Sequence, residues 1–242
     1  LDLFCGAGGA AMGYSRAGFD VTGVDITPMP RYPFTFIQAD AMVFPDTADL
    51  SGFDAVHASP PCQDHSSTKD FGGDHGTGWM LMATRGKLAA LGKPWVIENV
   101  RGAPLPHQQD LFGANGIELC GCMFPSLRGL LYEARLFESS FTIPSLPHRM
   151  HVWPQTKMGR APKPGECMQV TGHFTDAAEG RRRMGAPWMS RDELAQAIPP
   201  AYTEYVGSHM LLAVKGQDNG RMAPKVLWQP GGGNSPPGCA AR

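Results

Sequence analysis

The sequence predicts an α/β fold, and three observations carry that prediction. A strand-like opening, Leu1-Asp2-Leu3-Phe4, runs into the glycine turn Cys5-Gly6-Ala7-Gly8-Gly9-Ala10-Ala11 and then into a helix start over residues 12–17. Further short apolar runs at 21–25, 34–38, 53–58 and 95–100 read as strands, each carrying or meeting an acid or a proline near its end. A last helix over 201–214, entered through Pro199-Pro200, puts Tyr202, Tyr205, Val206, Met210 and Leu211 on one face. Strand, glycine turn and helix together form a nucleotide-binding opening, and ligands of such sheets sit beyond the carboxyl ends of the strands.

The bulk composition sets bounds. With 242 residues the chain forms one large domain, or one domain with a small appendage. It is 42% apolar and 18% charged, as soluble globular proteins are, and its formal charge of −1 gives no global basic field to announce nucleic acid. Six unevenly spaced cysteines do not make a disulfide framework, which favours a reducing compartment. No apolar run is long enough to span a membrane. The chain opens on Leu1 without a methionine, which leaves a preceding targeting segment open.

The glycine turn fits the dinucleotide fingerprint as Gly6-x-Gly8-x-x-Ala11, although a tight turn and close helix packing would need the same glycines. Asp25 closes the second strand 17 residues after Gly8, near the roughly 20-residue spacing at which a carboxylate meets ribose hydroxyls. Asp40 follows the third strand, where an acid can accept from an adenine amino group. A helix cap or turn role is the alternative for each aspartate.

The fourth strand leads into Ser59-Pro60-Pro61-Cys62-Gln63. Two prolines stop a ladder and stiffen the turn, so Cys62 stands at a strand end, either as a plain buried thiol or as a nucleophile. Residues 63–78 read as a mobile loop, 79–91 as an amphipathic helix, and 95–100 as a strand carrying Glu98, an acid that needs partners or a function. Residues 101–113 read as a Pro-rich loop with a short helix, and 117–124 and 131–137 as further strands. Cys120-Gly121-Cys122 is tighter than the usual metal-binding pair and no matching pair follows, so no metal is expected. Residues 142–190 read as a small irregular lobe, rich in proline with scattered Lys, Arg, His and Trp. Its run Arg181-Arg182-Arg183 would contact phosphates or form a solvated face. Ser190 and Glu193 form a capping pattern, and residues 215–242 read as a disordered tail.

Taken together these motifs resemble the DNA (cytosine-5) methyltransferase family. The opening residues 1–9 resemble its S-adenosylmethionine motif, Ser59-Pro60-Pro61-Cys62-Gln63 its nucleophile motif, and Glu98-Asn99-Val100 its acid motif. Arg135-Leu136-Phe137-Glu138 resembles the end of its arginine motif, and Ala197-Ile198-Pro199-Pro200-Ala201-Tyr202 its last motif, whose helix packs beside the first. Order and spacing agree along residues 1 to about 214. The short second lobe is similar to that of phage-encoded members.

The resemblance implies a Rossmann-like methyltransferase sheet over 1–141, a target-recognition lobe over 142–190, and a C-terminal helix over 191–214 that returns to the catalytic part. It implies a Cys62 thiolate that adds to cytosine C6, Glu98 on the N3 edge of the base, and Arg135 on the base carbonyl or steadying the thiolate. Phe4, Gly6, Ala7, Gly8, Gly9, Asp25, Ile26, Asp40, Ala41 and Pro60 would bind S-adenosylmethionine. Gln63, Ser66 and Ser67 would contact a double-stranded DNA whose target base is flipped out. A monomer acting in the cytoplasm of a bacterial or phage-infected cell, within a restriction–modification system, is the implied setting. Two departures stand out: Glu133-Ala134-Arg135 keeps one of the family's two arginines, and Ala195-Gln196 replaces Gly-Asn. His57 and His65, which flank the nucleophile, read as structural or loop residues. The alternatives are the same chemistry on tRNA and a catalytically weak DNA-binding relative.

Overall fold

Strand β1 (Asp2–Leu3) is an interior strand of the sheet, with β2 (Thr22–Asp25) and β4 (Val56–Ala58) paired to its two sides. The computed structural model describes residues 1–61, 76–106, 115–157, 159–172 and 174–216. Beyond β2 lies β3 (Thr35–Gln38), and beyond β4 come β5 (Trp95–Val100), β7 (Ala134–Ser139) and β6 (Asn115–Cys120). The order is β3-β2-β1-β4-β5-β7-β6. The first five strands are parallel, and β7 inserts antiparallel between β5 and β6. This is the Rossmann-like α/β sheet expected from the sequence. The winding reverses at β1, so a crevice opens beyond the carboxyl ends of β1 and β4.

The helices are α1 (Gly9–Arg16), α2 (Phe44–Thr47), α3 (Gly78–Ala90), α4 (Ala177–Met184), α5 (Arg191–Gln196) and α6 (Pro200–Val214). The capping pattern read at Ser190 forms α5: the Ser190 hydroxyl accepts from the Glu193 N–H, and the Glu193 carboxylate accepts from the Ser190 N–H. Helix α4 was not legible in the irregular stretch. Asp176 caps it and Gly185, at φ 68°, ends it, but its mostly charged and small residues give no clear apolar stripe. The strand read over 117–124 ends at Cys120, where a 3₁₀ turn over Gly121–Met123 takes over. The strand read from 131 begins at Ala134, because Leu131 pairs with Met168 instead. The tail read as disordered lies outside the described residues beyond position 216. No helix among the described residues is long and apolar enough to cross a membrane.

Helix α6 packs along α1 at backbone distance. A side chain on Gly13 would collide with the Thr203 hydroxyl and the Pro200 carbonyl, so glycine is required by the approach itself. Thr203 donates from there to the Ala10 carbonyl at 2.9 Å. Gly13→Ala should therefore cost about 1–3 kcal/mol, seen as a melting temperature lowered by several degrees in calorimetry. An unchanged midpoint would show that the two helices separate easily.

Candidate active site at the carboxyl edge of the sheet

The glycine turn leaves β1 through two left-handed glycines, Gly6 at φ 48° and Gly8 at φ 87°, and Phe4 before them also has positive φ, 57°. That backbone lets the turn fold back over the sheet edge. Asp25, at the end of the neighbouring strand, holds it there: one carboxylate oxygen accepts from Gly6 N–H at 3.0 Å, the other from Thr27 N–H at 2.9 Å. A carboxylate has about four lone-pair sites, so both oxygens retain acceptor capacity. Next to Asp25, the Ile26 side chain is 66% exposed, an apolar surface beside an acid. Asp40 is exposed and accepts from Met42 N–H at 2.8 Å, which is the turn role considered for it, while Ala41 is buried behind. Trp188, held by Arg31 through its carbonyl, donates its indole N–H to the Ala7 carbonyl at 2.7 Å, so the turn is also braced from the far end of the chain.

Across the crevice, β4 ends at Ser59-Pro60. The buried Asn99 side chain donates to the Pro60 carbonyl at 3.0 Å, which fixes the direction of the proline turn. Cys62, Gln63, Ser66, Ser67 and His65 lie outside the described residues. Glu98, beside Asn99 on β5, is buried. The Arg135 Nε stands 3.1 Å from its carboxylate, and a second guanidinium nitrogen pairs with Glu133. Antiparallel pairing sets this up, since Arg135 is opposite Val100 on β5. Glu133 and Arg135 are two residues apart and so project alike.

Glu133, one of the two departures noted in the sequence, shares the one arginine with Glu98. Burial raises the proton affinity of both acids, Glu98 to about 7, with Arg135 and the Ser59 hydroxyl pulling back and Glu133 pushing further up.

His57 was read as structural, and it is buried, but it is also a joint. Tyr14 O–H lies 2.8 Å from its Nδ1, and its Nε2 lies 2.7 Å from the Ser59 hydroxyl. Burial holds the imidazole neutral, down to about 3. Ser59 stabilises the Glu98 carboxylate and so donates to it. The donors then run one way: Tyr14 O–H to Nδ1, Nε2–H to Ser59, Ser59 O–H to Glu98. Sequence reasoning missed this chain because its members come from α1, β4 and β5.

Two further readings change. The run Arg181-Arg182-Arg183 is spent on structure: Arg182 and Arg183 pair with Glu179, Arg183 is buried and donates to the Leu130 and Glu166 carbonyls, and Arg181 donates to the Met189 carbonyl. Cys120 and Cys122 do have a matching pair after all. It is histidine rather than cysteine: His151 Nε2 stands 3.4 Å from the Cys120 Sγ, and His148 Nε2 stands 3.6 Å from the Cys122 Sγ.

No protein-family description matches the sequence, and no curated protein matches it. Among solved structures, a mutant of DNMT2 from Spodoptera frugiperda aligns at a TM-score of 0.39 and 18% identity, covering 70% of this chain and 54% of that one. The chain thus spans about half the length of that protein.

Because the folded-state proton affinity of Glu98 is raised above the ordinary carboxylate value, its burial costs stability as pH rises. Below about 4.5 the group is protonated whether folded or unfolded; between there and about 7 only the folded state keeps the proton. The melting temperature of Glu98→Gln minus that of the parent should therefore grow from pH 4.5 to 7 and level off above. A flat difference would mean that Glu98 titrates normally.

Proposed function

We propose that the chain transfers a methyl group from S-adenosylmethionine to C5 of cytosine in DNA. The observation that carries this is the buried Glu98–Arg135 pair, set beside the proline turn that leads into Cys62 and across the crevice from the glycine turn. An acid with a proton affinity near neutrality suits a group that must hold the base N3 edge and share a proton there. As the Cys62 thiolate adds to C6, the developing charge on N3 is met by that proton, and C5 becomes an enamine carbon. Arg135 keeps Glu98 oriented. C5 would then take the methyl group that bound S-adenosylmethionine supplies, with S-adenosylhomocysteine as the leaving thioether. A base removes the C5 proton, the C5–C6 double bond re-forms as Cys62 leaves as thiolate, and N3 returns its proton to Glu98.

The residues around the first turn fit the methyl donor. Asp25 retains acceptor capacity for ribose hydroxyls, Ile26 offers exposed apolar surface for a flat base, and Asp40 is an exposed acceptor. Phe4, Ala41 and Pro60 would complete the wall, and the N–H groups of residues 6–9 would meet the amino-acid end. When bound, S-adenosylmethionine supplies an electrophilic methyl group. Residues 142–190 would read the target sequence and Gln63, Ser66 and Ser67 would contact the flipped nucleotide's surroundings. Action as a monomer on double-stranded DNA, in the cytoplasm of a bacterial or phage-infected cell, is the setting that this activity implies.

Cys62→Ser should abolish methylation while S-adenosylmethionine binding by calorimetry stays within about twofold, since the hydroxyl is a far weaker nucleophile than the thiolate. The parent, but not the variant, should form a denaturant-resistant adduct with duplex DNA containing 5-fluorocytosine. Tritiated methyl incorporation into duplex DNA against tRNA separates the two substrates. No adduct and no incorporation under any condition would leave a DNA-binding relative as the better description.

A further inference from the structure

Outside the crevice, two cysteines and two histidines converge. The one ligating atom that each offers, from Cys120, Cys122, His148 and His151, lies within 4.8 Å of every other. Both thiols are buried and both imidazoles are exposed, so the group forms a wall with its soft donors inside and its nitrogen donors capping from solvent.

The distances match a particular polyhedron. A tetrahedral zinc with Zn–S near 2.3 Å and Zn–N near 2.05 Å places sulfur and nitrogen about 3.6 Å apart. The two observed sulfur–nitrogen separations are 3.4 and 3.6 Å. Both imidazoles present the same nitrogen, Nε2.

The local backbone explains how a C-x-C pair serves. Cys120 ends β6 in extended conformation and Cys122 lies in the 3₁₀ turn that follows, and the turn brings the second sulfur round to within 4.8 Å of the first. Gly121 between them is pressed on the Leu131 carbonyl, leaving no room for a side chain. The backbone N–H groups of Cys122 and Glu133 are hydrogen-bonded to the Cys120 sulfur and fix its position. Tyr132 stacks on the His151 ring at 3.9 Å and 13°, which fixes its plane.

We propose that Cys120, Cys122, His148 and His151 bind one zinc ion in a closed, structural site. Two thiolates neutralise the dication, and two neutral imidazoles complete the four ligands. With every position taken by protein, the ion has no open position for substrate or water. Sulfur and imidazole donors in a tetrahedron favour zinc over the harder magnesium or calcium. The site joins the end of β6 in the sheet to residues 148–151 at the start of the lobe, and it stands independently of the proposed methyl transfer.

The test uses the untagged full chain. Expressed in zinc-supplemented medium and purified with reductant, it should carry close to one zinc per chain by plasma mass spectrometry. Cobalt replacement should give the visible bands of a tetrahedral ion and a thiolate-to-metal charge-transfer band. His148→Ala and His151→Ala alter exposed side chains and should keep the far-ultraviolet circular dichroism of the parent, while weakening zinc at least about tenfold in chelator competition. Zinc retained at parent affinity by the double histidine variant would overturn the assignment, since the ion would then sit elsewhere. So would a parent chain that stays folded, takes up no zinc and shows no tetrahedral cobalt spectrum.

Discussion

The constraint on which the site depends is a carboxyl group buried at the end of a central strand. Glu98 is only 5% exposed, and a charge so placed is costly unless partners surround it. Two elements supply them. Strand β4 brings Ser59, itself fixed by His57 and Tyr14, and β7 brings Arg135. Asn99, next in β5, turns to hold the Pro60 carbonyl and so sets the path of the chain into Cys62. The antiparallel insertion of β7 is essential to this. It is what puts a cation beside Glu98, in register with Val100. Glu133 adds a second acid to the same guanidinium. Burial raises the proton affinity of both acids, Arg135 pulls each back, and at Glu98 the neighbouring Glu133 adds to the rise.

The last helix ties this acid side to the glycine side. Tyr202 at the start of α6 donates its hydroxyl to the Glu133 carbonyl, and the next residue, Thr203, bonds to Ala10 in α1. A single turn of helix therefore touches both walls of the crevice from behind. The segment before it does similar work in front, where Trp188 reaches the Ala7 carbonyl and Arg31 pairs with Glu193. Residues from the end of the chain thus complete a crevice begun by its first residues.

What could be read from the sequence was whatever a local pattern encodes. The glycine turn, the capping box at Ser190, the strand carrying Glu98 and the proline stop after β4 each follow from neighbours in the chain. The relay from Tyr14 through His57 and Ser59 to Glu98 does not, because its two ends come from α1 and β5 and only the tertiary fold brings them to the end of β4. Helix α4 escaped for a different reason: the Ala177–Met184 sequence is mostly charged or small, so it presents little apolar face, and its basic run invited a phosphate reading. Only with Glu179 and the Leu130 and Glu166 carbonyls in view does Arg183 read as a buried strut.

The Cys–His cluster shows the same limit from the side of the lobe. Phe141 and Ile143 are buried, but from Pro144 to Val152 the chain is largely exposed, with Met150 at 82% and Val152 at 64%. Apolar burial is therefore too slight to hold that stretch. Polar links carry it instead: the Tyr205 hydroxyl donates to the Pro144 carbonyl, Trp153 N–H donates to the Tyr132 hydroxyl, and Thr156 N–H and hydroxyl both reach the Cys167 carbonyl. Between the first and second of these links stand His148 and His151. A segment with so little to bury gains most from a cross-link that needs no hydrophobic area, which is what a metal–ligand bond provides. The site thus falls where the packing is thinnest, at the point where the sheet gives way to the lobe.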